Sequence, residues 1–229
     1  MRPQVSTSAA RETFGQAGGA IGRPLHNMRP GQGIHRCQQA MSDSIRCFIA
    51  VKIPRLDPLR RVLKELAGMG RAIKAVDPDN LHVTLKFLGD TEVELVPNVR
   101  SLMESAAAVC EPCVLTVGGL GAFPHAERPN VVWAGLAGAE TLAALAGDLE
   151  TGLEPHGFAR ENRPFVPHLT LARVKAKPPD SLRDLLARHA KTQFGTAAID
   201  QVELIRSELG ADGSRYTVLA SSPFGHHVR

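Results

Sequence analysis

The sequence predicts an α+β chain of two lobes related by a pseudo-twofold, with antiparallel sheets lining a central cleft and helices outside. Three observations carry this expectation. The phrase Leu81-His82-Val83-Thr84-Leu85 returns 86 residues later as Pro167-His168-Leu169-Thr170-Leu171. Both copies alternate polar and apolar residues with the period of two that marks a half-buried strand. Around them, strand-like and helix-like runs succeed one another without the strict alternation of a parallel α/β sheet, which points to antiparallel pairing.

Taken in order, Arg46 to Ile53 reads as a buried strand closed by Pro54. Leu59, Val62, Leu63, Leu66, Met69 and Ile73 then recur at helical spacing, which predicts a helix from Leu56 to Ile73 with basic residues on its other side. The turn signal Asp77-Pro78-Asp79-Asn80 leads into the first His/Thr strand, which Gly89-Asp90 ends. A helix from about Glu92 to Val109 tolerates Pro97 only near its first turns. Short strands come next at Cys113–Val117 and Val131–Leu136, separated by Gly118, Gly119, Gly121 and Pro124, with Val131-Val132-Trp133 read as core. Glu140 to Leu153 carries Leu142, Leu145, Leu149 and Leu153 on one helical face. After the turn-rich Glu154-Pro155-His156-Gly157 comes the second His/Thr strand, then a short helix from Asp180 to Ala190 capped by Asp180 or Ser181. Ala198–Leu209 and Tyr216–Ala220 read as a closing hairpin.

Residues 1–40 have no apolar period and too few large apolar residues to offset their ordering entropy, so a disordered basic tail is expected there, followed by a two-lobed domain over 41–229. That tail holds five arginines and one acid, which accounts for the chain's net charge of +4; the body from residue 41 is left with 22 basic and 22 acidic residues. Any polyanion binding by the body must therefore come from local placement of arginine and lysine. Met41 stands where the periodic sequence is about to start, so the upstream stretch reads as a dispensable tail or as lying before the true start of translation, with a basic RNA-contacting arm as the functional alternative. No apolar run reaches the length of a membrane span and no secretory signal is visible, which makes the cytoplasm the expected address. Cys110-Glu111-Pro112-Cys113 has C-x-x-C spacing but no second such pair, so two free thiols at a helix-to-strand junction are expected.

The two repeated phrases carry the chemistry. Alternate strand side chains share a face, so His82 projects with Thr84, and His168 with Thr170. Leu81, Val83, Leu85 and Phe87 fall on the opposite face of the first strand, and Phe165, Leu169 and Leu171 on that of the second. By the same parity Lys86 shares the face of His82, while Arg173 belongs with the apolar side. Chance would supply roughly 0.2 such His-x-Thr-apolar matches in a chain of this composition. Two imidazoles near their ordinary pKa can hold opposite protonation states at neutral pH, one taking a proton while the other gives one. Threonine hydroxyls can donate to the non-bridging oxygens of a phosphate held between the rings. Such a site needs no metal and no cofactor.

These motifs resemble those of the two-histidine phosphoesterases. The blocks Arg46-Cys47-Phe48-Ile49-Ala50-Val51, Asn80 to Gly89, Phe123-Pro124, Val132-Trp133-Ala134-Gly135 and Arg163 to Arg173 narrow the resemblance to the RNA 2',3'-cyclic phosphodiesterase and 2'-5' RNA ligase branch. It covers about Ile45 to Phe224. The resemblance implies a bilobal fold, His82 as proton donor, His168 as proton acceptor, Thr84 and Thr170 on the phosphate, and a 2'-phosphomonoester product. Arg163, Arg173 and Lys86 are further candidates for holding substrate. Where relatives often carry arginine before the Val-x-Trp strand, this chain has Asn130. The expected partner is an RNA or oligonucleotide end bearing a cyclic phosphate, acted on by a monomer with no obligate protein partner and no membrane. Two other classes fit less well. A metal-dependent hydrolase would want further ligands near the histidines, where Asp90 is the only nearby acid. A non-catalytic RNA-binding module would want stacked aromatics and a basic face, against 4% aromatic residues and a neutral body.

Overall fold

A computed structural model describes residues 43–210 and 213–225. The expectations for residues 1–40 and for a start at Met41 lie outside the described residues. The element order is β1 (Ser44–Lys52), α1 (Asp57–Gly68), β2 (Ile73–Ala75), β3 (His82–Glu92), α2 (Val96–Ala108), β4 (Cys113–Phe123), β5 (Val131–Ala137), α3 (Glu140–Leu153), β6 (His168–Val174), α4 (Ser181–Arg188), β7 (Gln193–Ile199), β8 (Gln201–Gly210) and β9 (Gly213–Pro223). The strands form two sheets, β3-β1-β8-β9 and β2-β6-β5-β4-β7, with every pairing antiparallel. This topology gives the α+β class and the two-lobed arrangement.

The lobes are not the two halves of the sequence. The first sheet takes β1 and β3 from the start of the chain and β8 and β9 from its end, while β2 leaves the first half to pair with β6 in the second sheet. Helices interleave in the same way: α1 comes after β1 but packs against β2, β6 and β7, and α3 comes after β5 but packs on β3 and α2. One apolar core therefore runs through both lobes.

Each helix forms where its apolar spacing demands. Leu59, Val62, Leu63 and Leu66 of α1 are buried, as are Leu142, Leu145, Leu149 and Leu153 of α3, and each fully buried leucine contributes about 1.5–3 kcal/mol. The expected extension of α1 to Ile73 is corrected. The helix stops at Gly68, Gly70 takes a φ of +83°, and Ile73 opens β2 opposite Val174. The glycines expected to separate two short strands instead lie inside the eleven-residue β4. Gly119, at φ +66°, is the bulge residue against β5, and Gly121 seats the indole of Trp133, where a Cβ would stand 2.2 Å from Cζ2. Asp180 is the N-cap of α4 but bonds nothing with its side chain, because its own backbone is already helical. The strand expected from Ala198 is two strands in different sheets: β7 ends at Ile199, Asp200 crosses over, and β8 begins at Gln201.

Candidate active site

His82 opens β3 directly after a 3-10 turn, Pro78–Asn80, whose Asp79 N–H donates to the Asp77 carboxylate at 2.8 Å. That turn aims the Asn80 carbonyl at the ring, and His82 Nδ1 donates to it at 2.7 Å. His168 opens β6 in the same way, its Nδ1 donating to the Val166 carbonyl at 2.8 Å. A carbonyl can only accept, so in both rings the proton of the neutral form sits on Nδ1 and Nε2 is left to the cleft. Both histidines, Thr84 and Thr170 line one cleft of about 2190 Å³. Aromatic rings fix the imidazoles. Phe48 lies 4.9 Å from His82, Tyr216 stands edge-on to it at 5.3 Å, and Phe123 stands edge-on to His168 at 5.1 Å.

The two motif strands share a feature that strict alternation misses. Ala50 pairs with Thr84 and Ile49 with Lys86, so Leu85 is an extra residue; Trp133 pairs with Thr170 and Val132 with Ala172, so Leu171 is extra at the same place in the second copy. Each bulge reverses the facing of the residues that follow it, in β3 as far as a second irregularity at Leu88. From either histidine the run reads half-buried, buried, half-buried, buried, buried, exposed. Three expectations change as a result. Lys86 leaves the face of His82 and is enclosed in the protein, where its Nζ donates to Glu150 Oε2 and to the Ala159 carbonyl, both at 2.6 Å. Phe87 leaves the apolar face and stands 55% exposed on the cleft. Arg173, expected with the apolar face, lines the cleft. Phe165 precedes β6, half-buried against the core, and also reaches the cleft.

The cleft collects charge that the body as a whole cancels. Its lining includes Arg46, Arg60, Arg61, Lys64, Lys74, Arg160, Arg163, Arg173, Lys175 and Arg215 against Asp57, Asp77, Glu150 and Glu161. Ten cations to four acids make it a funnel for a polyanion. Burial holds the His82 imidazole below its ordinary value and the Arg173 guanidinium adds to that, while the bond to Asn80 works in the other direction. Arg163 is exposed on the segment before β6. Asn130 gives its backbone to the sheet, donating to Phe123 and accepting from Val174. Among the described residues no group of three or more His, Cys, Asp or Glu side chains is placed to hold a metal ion. Cys110 and Cys113 are free thiols where α2 hands over to β4. Sequence reasoning missed Tyr216, Phe123, Arg46 and Arg215 as cleft residues; Arg46 and Tyr216 sit in strands expected from the sequence, Phe123 and Arg215 outside the expected bounds, and only strand pairing brings them to the histidines.

The profile of the 2'-5' RNA ligase superfamily matches residues 53–211, well over half of the chain. The chain belongs to that superfamily. As a 2'-5' RNA ligase superfamily member it is similar to an RNA 2',3'-cyclic phosphodiesterase of Methanothermobacter thermautotrophicus, 33% identical over 176 residues that cover 76% of this chain and 95% of the relative. An RNA 2',3'-cyclic phosphodiesterase of Archaeoglobus fulgidus is 33% identical over 174 residues, 75% of this chain and 96% of the relative. Among solved structures, TT0787 of Thermus thermophilus superposes with a TM-score of 0.68 at 32% identity, covering 80% of this chain and 100% of that one. LigT of E. coli in complex with 3'-AMP superposes with a TM-score of 0.62 at 26% identity, covering 80% and 99%. The superfamily match spans both histidine motifs and most of the cleft wall between them.

Proposed function

We propose that this chain is an RNA 2',3'-cyclic 3'-phosphodiesterase, hydrolysing cyclic phosphate ends to 2'-phosphomonoesters with His82 as proton donor and His168 as proton acceptor. The matched pair of Nδ1–carbonyl bonds carries the reading, because it leaves two Nε2 atoms for one cleft. His168 Nε2 takes a proton from water as the water oxygen bonds to phosphorus. The bond from phosphorus to the 3'-oxygen breaks, and His82 Nε2–H protonates that oxygen. One water is consumed and each ring ends with the other's protonation state. Thr84 and Thr170 donate to the non-bridging oxygens, and Arg163 and Arg173 hold the RNA backbone. A bound cyclic phosphate adds negative charge beside His82, which offsets the burial and the Arg173 field that keep its ring neutral. A cytoplasmic monomer whose partner is RNA completes the proposal, and the cationic lining of the cleft supports the RNA partner; among the described residues no helix is long and apolar enough to cross a membrane.

The superfamily profile, named for ligases, supports a second reading, 2'-5' ligation, in which the 5'-hydroxyl of another RNA replaces water as the group deprotonated by His168. Offering a 5'-hydroxyl oligonucleotide beside the cyclic phosphate substrate and measuring joined against hydrolysed product separates the two. For either direction, His82→Ala and His168→Ala should each lower turnover by about 10²–10⁴-fold while binding survives. Wild-type turnover by either variant refutes the paired-histidine reading.

A further inference from the structure

The two carbonyls that orient the histidines are held by different means. Val166 stands between Pro164 and Pro167, whose rings fix φ on either side, and follows Phe165, half-buried against the core. Asn80 ends a turn of only three residues, and behind that turn lies an ion pair that no step of the proposed reaction uses. Arg55, between β1 and α1, donates from both Nε and Nη2 to the two carboxylate oxygens of Asp79. The backbone N–H of the same Asp79 donates to the Asp77 carboxylate at 2.8 Å, and the Asn80 N–H donates to the Asp77 carbonyl at 2.9 Å. On the far side of the turn the Ile53 N–H donates to the Leu81 carbonyl at 3.0 Å. The end of β1 is thus tied to the turn both before and after Asn80.

Asp77, Pro78 and Asn80 line the cleft, whereas Arg55 and Asp79 stand outside its lining, so contact with substrate does not account for the pair. Stability accounts for it poorly, since side chains 65% and 56% exposed gain little from pairing in water. What a guanidinium fork on a carboxylate does supply is direction, because two parallel bonds in one plane admit one orientation. We infer that Arg55 and Asp79 are positioning residues for His82: their fork locks the 3-10 turn so that the Asn80 carbonyl meets Nδ1 and Nε2 is delivered to the cleft. The use made of the ring rests on the phosphodiesterase reading; its orientation does not.

The test compares wild type, Arg55→Met, Asp79→Ala, the double variant and Asp79→Glu by imidazole nitrogen NMR of His82 across pH and by turnover of an oligoribonucleotide ending in a 2',3'-cyclic phosphate. In the free wild type the neutral ring should carry its proton on Nδ1, and in Arg55→Met and Asp79→Ala it should become a mixture with the Nε2–H form. Both variants should lower the His82 pKa, because the carbonyl bond that favours the charged ring is lost. Loss of the Arg55 cation acting only through its field would raise that pKa instead. The titratable groups beside the ring on neighbouring strands, Lys52 of β1, Arg173 of β6 and Tyr216 of β9, are the same in every variant. Turnover should fall roughly 10- to 100-fold in kcat, the scale of a catalytic group displaced by about 1 Å, with substrate affinity and the urea midpoint little changed. The double variant should be no slower than the slower single one, and Asp79→Glu should restore both rate and tautomer. An unchanged tautomer, pKa shifts of opposite sign in the two single variants, or a slowing that tracks a lost urea midpoint overturns the proposal. If wild type does not hydrolyse the substrate, the phosphodiesterase reading fails, and the tautomer still decides whether the fork orients His82.

Discussion

Removing the two partners of the Lys86–Glu150 pair should cost unequal amounts. The ammonium is sealed in, with the Lys86 side chain 1% exposed, whereas the Glu150 side chain is 18% exposed and reaches the cleft wall. Glu150→Leu leaves a buried cation with only the Ala159 carbonyl, a loss expected to cost about 3–5 kcal/mol. Lys86→Met leaves a carboxylate that water can reach and one carbonyl without its donor, expected to cost about 1–3 kcal/mol. The double variant removes both charges and should be more stable than the sum of the singles predicts, because neither ion is left alone. Urea unfolding of the four proteins gives the cycle. Additive losses, or a larger loss for Lys86→Met than for Glu150→Leu, would refute the account of which ion is enclosed. The pair also has a functional reach. Glu150 Oε2 accepts the Glu161 N–H at 3.1 Å, two residues before Arg163, so Glu150→Leu should also raise KM for RNA ends.

Several other outcomes are expected. In His168→Ala the residual rate depends on protonated His82, so it should fall as pH rises through the His82 pKa. In kcat/KM that fall should lie below the ordinary histidine value of about 6.5, in kcat it should move up with the anion bound, and Arg173→Gln should raise the kcat/KM midpoint by removing a positive field. Gly121→Val should displace the indole it would strike, lowering Tm by several degrees and shifting the emission of the chain's one tryptophan. Hydrolysis should continue in excess chelator, since acid, base and phosphate donors are all side chains; complete, metal-reversible inhibition would contradict this. A chain beginning at Met41 should turn over substrate like the full length, because both motifs and the described cleft residues follow Met41, and a large loss of activity would give the basic segment a role in binding.

What could be read in advance was whatever a short local period determines. Glu140 to Leu153 is helical between the expected bounds, and both His/Thr strands begin as alternation requires. What escaped depends on a partner strand. No glycine or proline marks Leu85 or Leu171 as bulged; the slip exists only in the register against β1 and β5, and it moved Lys86, Phe87 and Arg173 to the faces opposite those expected. The break at Asp200 was hidden for a related reason, since Ile199 and Val202 are both apolar and buried but serve different sheets. Charge escaped by averaging, because a neutral sum over the body conceals ten cations gathered along one surface.

The interleaving of the lobes bears on how the chain folds. The first sheet cannot be completed by neighbouring sequence: β1 must wait for β8, where Cys47 registers with Arg206, and β2 must wait for β6. Such pairings close loops of about a hundred residues or more before they return any contact energy, so folding should be slow for a domain of this size and governed by long-range strand capture. Neither half of the polypeptide holds a complete sheet, so a fragment carrying one His/Thr motif should stay unstructured alone and fold only when the other half is supplied. The two histidines should therefore meet only once β8 and β9 are available to complete the first sheet.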